Sequence, residues 1–311
     1  MGSELELKPL VIDSLSKRYG ERVALDSLSF TVPAGEIFGF VGSNGAGKTT
    51  TMRILVGVLS ADGGQVRWGD APVAGQDVAR FGYMPEERGL YPKMTVAKHL
   101  VYLGRLHGLS ATAAQSAMER WTDRLRISDY RGQTVDSLSL GNQQRVQLAA
   151  ALIHDPDVLI LDEPFSGLDP LAVDDMSAVL KDKATQGTPV LFSSHQLDLV
   201  ERLCDRVGIV RSGKLAACGS LEDLRGKGEA ARLYLQVDGA PADWPARTPA
   251  VASFEEEDGG ARVELAPGCD ENDVLRVAMQ HGRVRQMVWR RPTLTQMFRD
   301  LIEPMEDEVA A

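Results

Sequence analysis

The stretch Gly42-Ser43-Asn44-Gly45-Ala46-Gly47-Lys48-Thr49-Thr50 constrains this chain more than any other. An apolar run, residues 37–41, precedes it and reads as a buried strand, and residues 51–55 read as the first turns of a helix. Strand, glycine-rich loop and helix are the setting that makes the pattern a phosphate-binding loop. Glycines let successive backbone N–H groups turn toward one point, and a helix N-terminus adds partial positive charge there. In such a loop Lys48 reaches the β- and γ-phosphates of a nucleotide, and the Thr49 hydroxyl can ligate Mg²⁺.

A chain of 311 residues with 43% hydrophobic composition suffices for one large domain and a smaller one. Its 34 basic and 44 acidic residues leave a net charge of −10, which argues against broad nucleic-acid binding. No apolar run approaches the roughly 20 residues that cross a bilayer. The acidic start, residues 1–6, lacks a signal-peptide core. Cys204, Cys218 and Cys269 are scattered and odd in number; they fit a reducing cytosol, and their spacing makes no metal site.

Along the chain, residues 10–15 and 28–32 read as strands, with a turn over 16–21 between them. A tight turn at 33–36 leads into the strand before the loop, and 61–66 reads as a hairpin-like turn into another strand. Residues 80–88 read as a strand running into a loop. From 95 to 153 the pattern is helical, with Val96, Leu100, Leu103 and Leu106 on one core-facing stripe and Met118, Trp121 and Leu125 on another. Ser139 reads as the N-cap of a helix ending at Leu152. Strands are expected at 157–161, 189–194 and 207–210, and a helix at 197–204. Residues 226–229 read as a linker. Beyond them, strands near 233–237, 250–255, 261–265 and 284–288, with helices at 273–281 and 294–302, make a small α+β unit; the tail, 306–308, reads as frayed.

Phosphoryl transfer from ATP needs an anion cradle, a metal and a group that orients or deprotonates water. Ligands of parallel αβ sheets collect at the carboxyl ends of strands. Asp162, at one such end, suits Mg²⁺, and Glu163 beside it suits a general base. His195, at another, can donate a hydrogen bond to a γ-phosphate.

From about residue 8 to 220 the chain resembles the nucleotide-binding subunits of ATP-binding-cassette (ABC) transporters. Residues 42–50 resemble the Walker A motif, 158–163 Walker B and 165–169 the D-loop. His195 sits where the switch histidine belongs, and Tyr19 where an aromatic ring stacks on adenine. Residues 138–145 resemble the signature motif, with Leu140-Gly141-Asn142 in place of Gly-Gly-Gln. Glu86 stands where the family has its Q-loop glutamine, so it would meet Mg²⁺ or water while adding negative charge.

The resemblance implies an α/β P-loop NTPase cassette over residues 8–225. It would consist of a β-rich subdomain, a parallel αβ core and a helical subdomain at about 88–153, followed by a small α+β domain at 230–303. It implies a head-to-tail homodimer sandwiching two ATP molecules, with Ser139, Gly141 and Asn142 of each chain facing the γ-phosphate bound by the other. It also implies a separately encoded integral membrane permease, placing the chain at the cytoplasmic face of the plasma membrane. Residues 85–92, the altered signature and the C-terminal unit, with its closing segment 292–298, together resemble the ATPases of bacterial export systems, sodium- and drug-exporter-like members included. A cassette ATPase acting on ribosomes or nucleic acid is the alternative. Such proteins resemble two fused cassettes, or carry long coiled coils or zinc-binding cysteines, and the chain has none of these.

Overall fold

A computed structural model describes residues 7–87, 89–226, 232–257, 259–290 and 293–302. The chain forms two compact units, residues 1–221 and 222–311.

The first unit opens with β1 (Leu10–Tyr19), β2 (Arg22–Val32), β3 (Ile37–Gly42), α1 (Lys48–Leu55), β4 (Gly63–Trp68), β5 (Ala71–Pro72), α2 (Gly75–Val78) and β6 (Phe81–Met84). Three longer helices follow, α3 (Val96–Leu106), α4 (Ala111–Arg124) and α5 (Leu140–Leu152). The chain then returns to strands with β7 (Val158–Leu161), α6 (Pro170–Thr185), β8 (Val190–Ser194), α7 (Leu197–Leu203), β9 (Arg206–Arg211) and β10 (Lys214–Ser220). Helix α8 (Leu221–Gly226) comes next.

Two sheets result. One is antiparallel, in the order β2-β1-β4-β5; the other runs β10-β9-β3-β8-β7-β6. In the second, β9, β3, β8, β7 and β6 are parallel, and β10 joins the edge antiparallel. Strands β3, β7 and β8 are buried at every position, as expected for parallel strands covered on both faces. The core between the sheets centres on Phe30, whose ring stacks on Phe38 and Phe40 at 5.1 and 5.0 Å. Each buried phenylalanine contributes roughly 1.5–3 kcal/mol of hydrophobic free energy.

Two expectations are corrected. The turn expected over 16–21 is strand up to Tyr19, with Tyr19 paired to Arg22 across a two-residue turn. Side chains from Ser16 to Tyr19 are polar or exposed, so apolar alternation fades while backbone pairing continues. Leu106, expected on the buried stripe of α3, is 63% exposed. At 100° per residue it lies about 80° around the helix from Val96, off the buried face. Leu103 is half-buried, and the other stripe positions hold: Val96 and Leu100 are buried, as are Met118, Trp121 and Leu125. Thr95, Ser110 and Ser139 cap α3, α4 and α5, each accepting a backbone N–H three residues on.

The second unit holds β11 (Arg232–Asp238), β12 (Val251–Glu257), β13 (Gly260–Leu265), α9 (Glu271–His281), β14 (Arg283–Arg290) and α10 (Leu294–Ile302). Its antiparallel sheet runs β12-β13-β11-β14. Leu233, Leu235 and Val263 pack with Val274 and Ala278 of α9. Elsewhere the Arg290 guanidinium lies 3.5 Å from the Tyr234 ring centroid, and Arg262 forks onto Glu257 at 2.7 and 3.0 Å. Gln296 of α10 donates to the same carboxylate at 3.2 Å. Burial works to raise the Glu257 pKa, but Arg262, Arg290 and Gln296 outweigh it and hold it below the usual carboxylate value. Of the expected linker, Gly226 ends α8, while residues 227–229 and the tail at 306–308 lie outside the described residues. Among the described residues no helix is long and apolar enough to cross a membrane.

Candidate nucleotide site

Strand β3 stops at Gly42, and the chain turns through five residues into α1. Gly45 and Gly47 have φ of +79° and +110°, values that side chains with a Cβ rarely adopt. A Cβ on Gly47 would approach the Ala24 carbonyl oxygen and Leu25 Cδ2 to 2.7 Å. Because Gly47 is the N-cap, no side chain covers the first N–H groups of α1, and they stay available to an anion. Lys48 folds back over the loop, its Nζ donating to the Gly42 carbonyl at 2.7 Å and the Ser43 carbonyl at 3.3 Å.

The loop lines a cavity of about 370 Å³. From the loop and α1 come Asn44, Gly45, Gly47, Lys48, Thr49 and Thr50. Tyr19 closes one side from the end of β1; Glu86 enters after β6, and Asp162 with Glu163 after β7. These side chains, expected separately from sequence, share one space. Gly42, Ser43 and Ala46 shape the loop without lining the cavity. Ser139, Gly141 and Asn142 are not in the lining either: Ser139 is exposed at the start of α5.

Asp162 continues the β6–β7 ladder, its N–H donating to the Met84 carbonyl at 2.8 Å. The side chain is buried; Oδ1 accepts from Ser193 Oγ at 2.5 Å, and Oδ2 has no protein partner. Glu163 follows in the left-handed region, φ +51°, which is unfavourable for a residue with a Cβ. Its N–H donates to Ser193 Oγ at 2.9 Å, and its Oε2 lies 3.0 Å from His195 Nδ1. Tyr83 on β6 keeps its proton more tightly than an ordinary phenol, first through burial and then through the Asp162 charge.

The donor set fits a magnesium nucleotide. Lys48 and the α1 N-terminus suit a polyphosphate. The Thr49 hydroxyl and the Asp162 and Glu86 carboxylates are the hard oxygens a divalent cation takes. Asp162 Oδ2, buried and unpaired, is a costly atom that a cation would satisfy.

Several residues that the sequence reading passes over belong here. Arg22 and Ala24 of β2 line the cavity. Arg22 brings its guanidinium within 3.2 Å of where a Cβ on Gly45 would lie. Its one sequence signal is its place just after a Gly20-Glu21 turn that pairs it with Tyr19. Gln144 of α5 donates to the Glu163 and Pro164 carbonyls at 3.3 and 2.9 Å, and Gln147 to the Pro85 carbonyl at 2.6 Å. One helix thus braces the loops that carry Glu86 and Glu163.

Comparison with known proteins agrees with this geometry. Residues 25–166 match the family described as ABC transporter. The ABC transporter ATP-binding protein YhaQ of Bacillus subtilis, itself uncharacterized, is 35% identical over 289 residues, spanning 93% of this chain and 97% of that one. This chain belongs to the ABC transporter ATP-binding proteins. The cassette is thus an ATP-binding, ATP-hydrolysing unit. Residues 219–302 match the C-terminal domain of ATP-binding proteins of the DrrA1-3-like type. Nod factor export ATP-binding protein I of Burkholderia lata is 37% identical over 219 residues, covering 70% of this chain and 72% of that one. A solved structure of an ATP-binding subunit of an ABC transporter superposes with a TM-score of 0.65 at 30% identity, over 70% of this chain and 91% of that one.

Proposed function

We propose that this chain powers export through a separate membrane permease by binding and hydrolysing Mg²⁺-ATP at the β3–α1 cavity. The observation that carries this reading is the convergence of Lys48, Thr49, Asp162 and Glu163 on that one space. Tyr19 stacks on the adenine, the N–H groups of residues 42–50 cradle the phosphates, and Lys48 swings from its carbonyl partners to the β- and γ-phosphates. Thr49, Asp162 and Glu86 hold Mg²⁺, which when bound neutralises charge on the phosphates. Glu163 takes a proton from the attacking water. His195 holds the Glu163 carboxylate and can donate to the γ-phosphate.

Ser139, Gly141 and Asn142 stand at the capped N-terminus of α5, outside their own chain's cavity. That placement supports a head-to-tail homodimer in which they meet the partner's γ-phosphate. The cassette corresponds to residues 8–225, its helical part to about 88–153, and the accessory domain to 230–303. Relatives named for Nod factor export and, as probable, for multidrug transport support the export direction. The working position is the cytoplasmic face of the plasma membrane, reached through the permease.

The test is ATP hydrolysis by the purified chain with and without Mg²⁺, beside Glu163→Gln, with both run on a sizing column in ATP. The wild type is expected to hydrolyse ATP only with Mg²⁺. Glu163→Gln should lose about 10²–10⁴-fold in rate while binding ATP and eluting as a dimer. Equal rates in the two proteins would remove Glu163 as the base.

A further inference from the structure

Strand β8 delivers more than His195 to the site. Ser193, within the strand and two residues before His195, is fully buried. Its Oγ accepts the Glu163 N–H at 2.9 Å and lies 2.5 Å from Asp162 Oδ1. A hydroxyl carries one proton, and an ionised carboxylate only accepts. Ser193 therefore directs its proton to Oδ1 and takes the Glu163 N–H on a lone pair. A single side chain so fastens two consecutive residues of the facing strand end. Asp162 cannot turn without breaking that bond, which leaves Oδ2 as its free oxygen. Glu163, in a backbone conformation unfavourable to it at φ +51°, is held through its N–H.

We propose that Ser193 is a positioning residue for the Asp162–Glu163 pair, aiming the free Asp162 oxygen at the divalent cation and fixing the backbone from which Glu163 reaches the water. The proposal rests on the cavity being a metal–nucleotide site. A serine that merely filled space beside two carboxylates would be replaceable by alanine without consequence for the cation. A serine that orients a metal ligand behaves like other groups bonded to ligands, whose loss weakens metal affinity or turnover about 10–100-fold.

The experiment uses the full chain as wild type, Ser193→Ala, Ser193→Thr and Ser193→Cys. Mn²⁺ affinity is read by electron paramagnetic resonance in the presence of ATP, ATP affinity in EDTA by equilibrium titration, and kcat and KM with Mg²⁺. Ser193→Ala is expected to bind Mn²⁺ about 10-fold more weakly and to lose about 10–100-fold in kcat. Its ATP affinity in EDTA and its KM should stay within about twofold of wild type. Ser193→Thr, which keeps the hydroxyl, should restore both losses. Ser193→Cys, close in size but a weak donor, should behave like alanine and carries the test if alanine does not fold. Wild-type Mn²⁺ affinity in the alanine or cysteine variant overturns the proposal, as does a threonine variant no better than alanine. A wild type that neither binds Mn²⁺ with ATP nor hydrolyses ATP overturns the metal–nucleotide reading with it.

Discussion

Gly47 has no room for a methyl group: its φ is +110°, and Ala24 and Leu25 stand 2.7 Å from where a Cβ would sit. Gly47→Ala should therefore distort the phosphate loop and weaken ATP binding at least about 10-fold, a difference of ~1.4 kcal/mol, measured by equilibrium titration. Arg22 is a different case, since it lines the cavity without belonging to any motif. Arg22→Gln removes a charge-assisted contact of about 1.5–3 kcal/mol, so the Kd for both ATP and ADP should rise about 10-fold or more, with the unfolding midpoint of the nucleotide-free protein unchanged. An unchanged Kd would show that the guanidinium does not touch the phosphates. The loop, Asp162, Glu163 and His195 were legible in the sequence because each is marked locally, by glycine spacing or by the polar end of an apolar run. Arg22 and Ser193 were not, because their partners come from other segments; Ser193 and Asp162 are 31 residues apart.

Among the elements, α5 connects most of the site. Ser139 caps its start, Gln144 and Gln147 hold the loops after β7 and β6, and His154 lies just past its end. The His154 ring stacks on His107 at 3.7 Å, nearly parallel, with both its nitrogens buried. Burial first, and the neighbouring His107 second, lower its pKa from 6.5 to about 4. The folded state thus resists a proton that the unfolded chain accepts, so the unfolded chain binds more protons between those values. Stability from this group is complete above about pH 6.5 and is lost as pH falls toward about 4. His154→Phe keeps a stacking ring and removes the titration. Its unfolding midpoint should fall less steeply than that of the wild type between pH 6.5 and 4 in thermal melts, and parallel curves would refute the assignment. Some elements were readable in advance, such as α10, whose bounds match the apolar spacing. Others were not assigned. Helix α6 begins with a readable signal, Asp169 as N-cap and Pro170 in the first turn, but it follows directly on the D-loop-like motif, which claims that stretch first. Strand β10 has no β-branched or aromatic residue and exists through pairing with β9, information no local window contains.

At the scale of the whole chain, each unit has its own hydrophobic cluster, and the division near residue 221 falls close to the glycine-rich stretch that reads as a linker. Composition shifts there from long αβ alternation to short strands, which is why the second unit was visible without any motif. ATP at 100 times its Kd adds about 2.7 kcal/mol to the unit that binds it, which for a domain of this size raises the midpoint by roughly 5–10 °C. Calorimetry with Mg²⁺-ATP should move the transition of the cassette by that amount and leave that of the C-terminal unit in place; a common shift would mean the two units melt as one. Ser139 stands exposed, outside the lining of its own cavity. In the proposed head-to-tail dimer such a chain carries two halves of different sites, and its turnover would be set by encounters. In dilute solution the rate per chain should fall in proportion as the protein is diluted, so specific activity is a property of the preparation and not of the molecule. A membrane partner seating two copies side by side would replace bulk concentration with a local one of order millimolar. Before it moves any cargo, such a partner already works as a device that brings two reactants together.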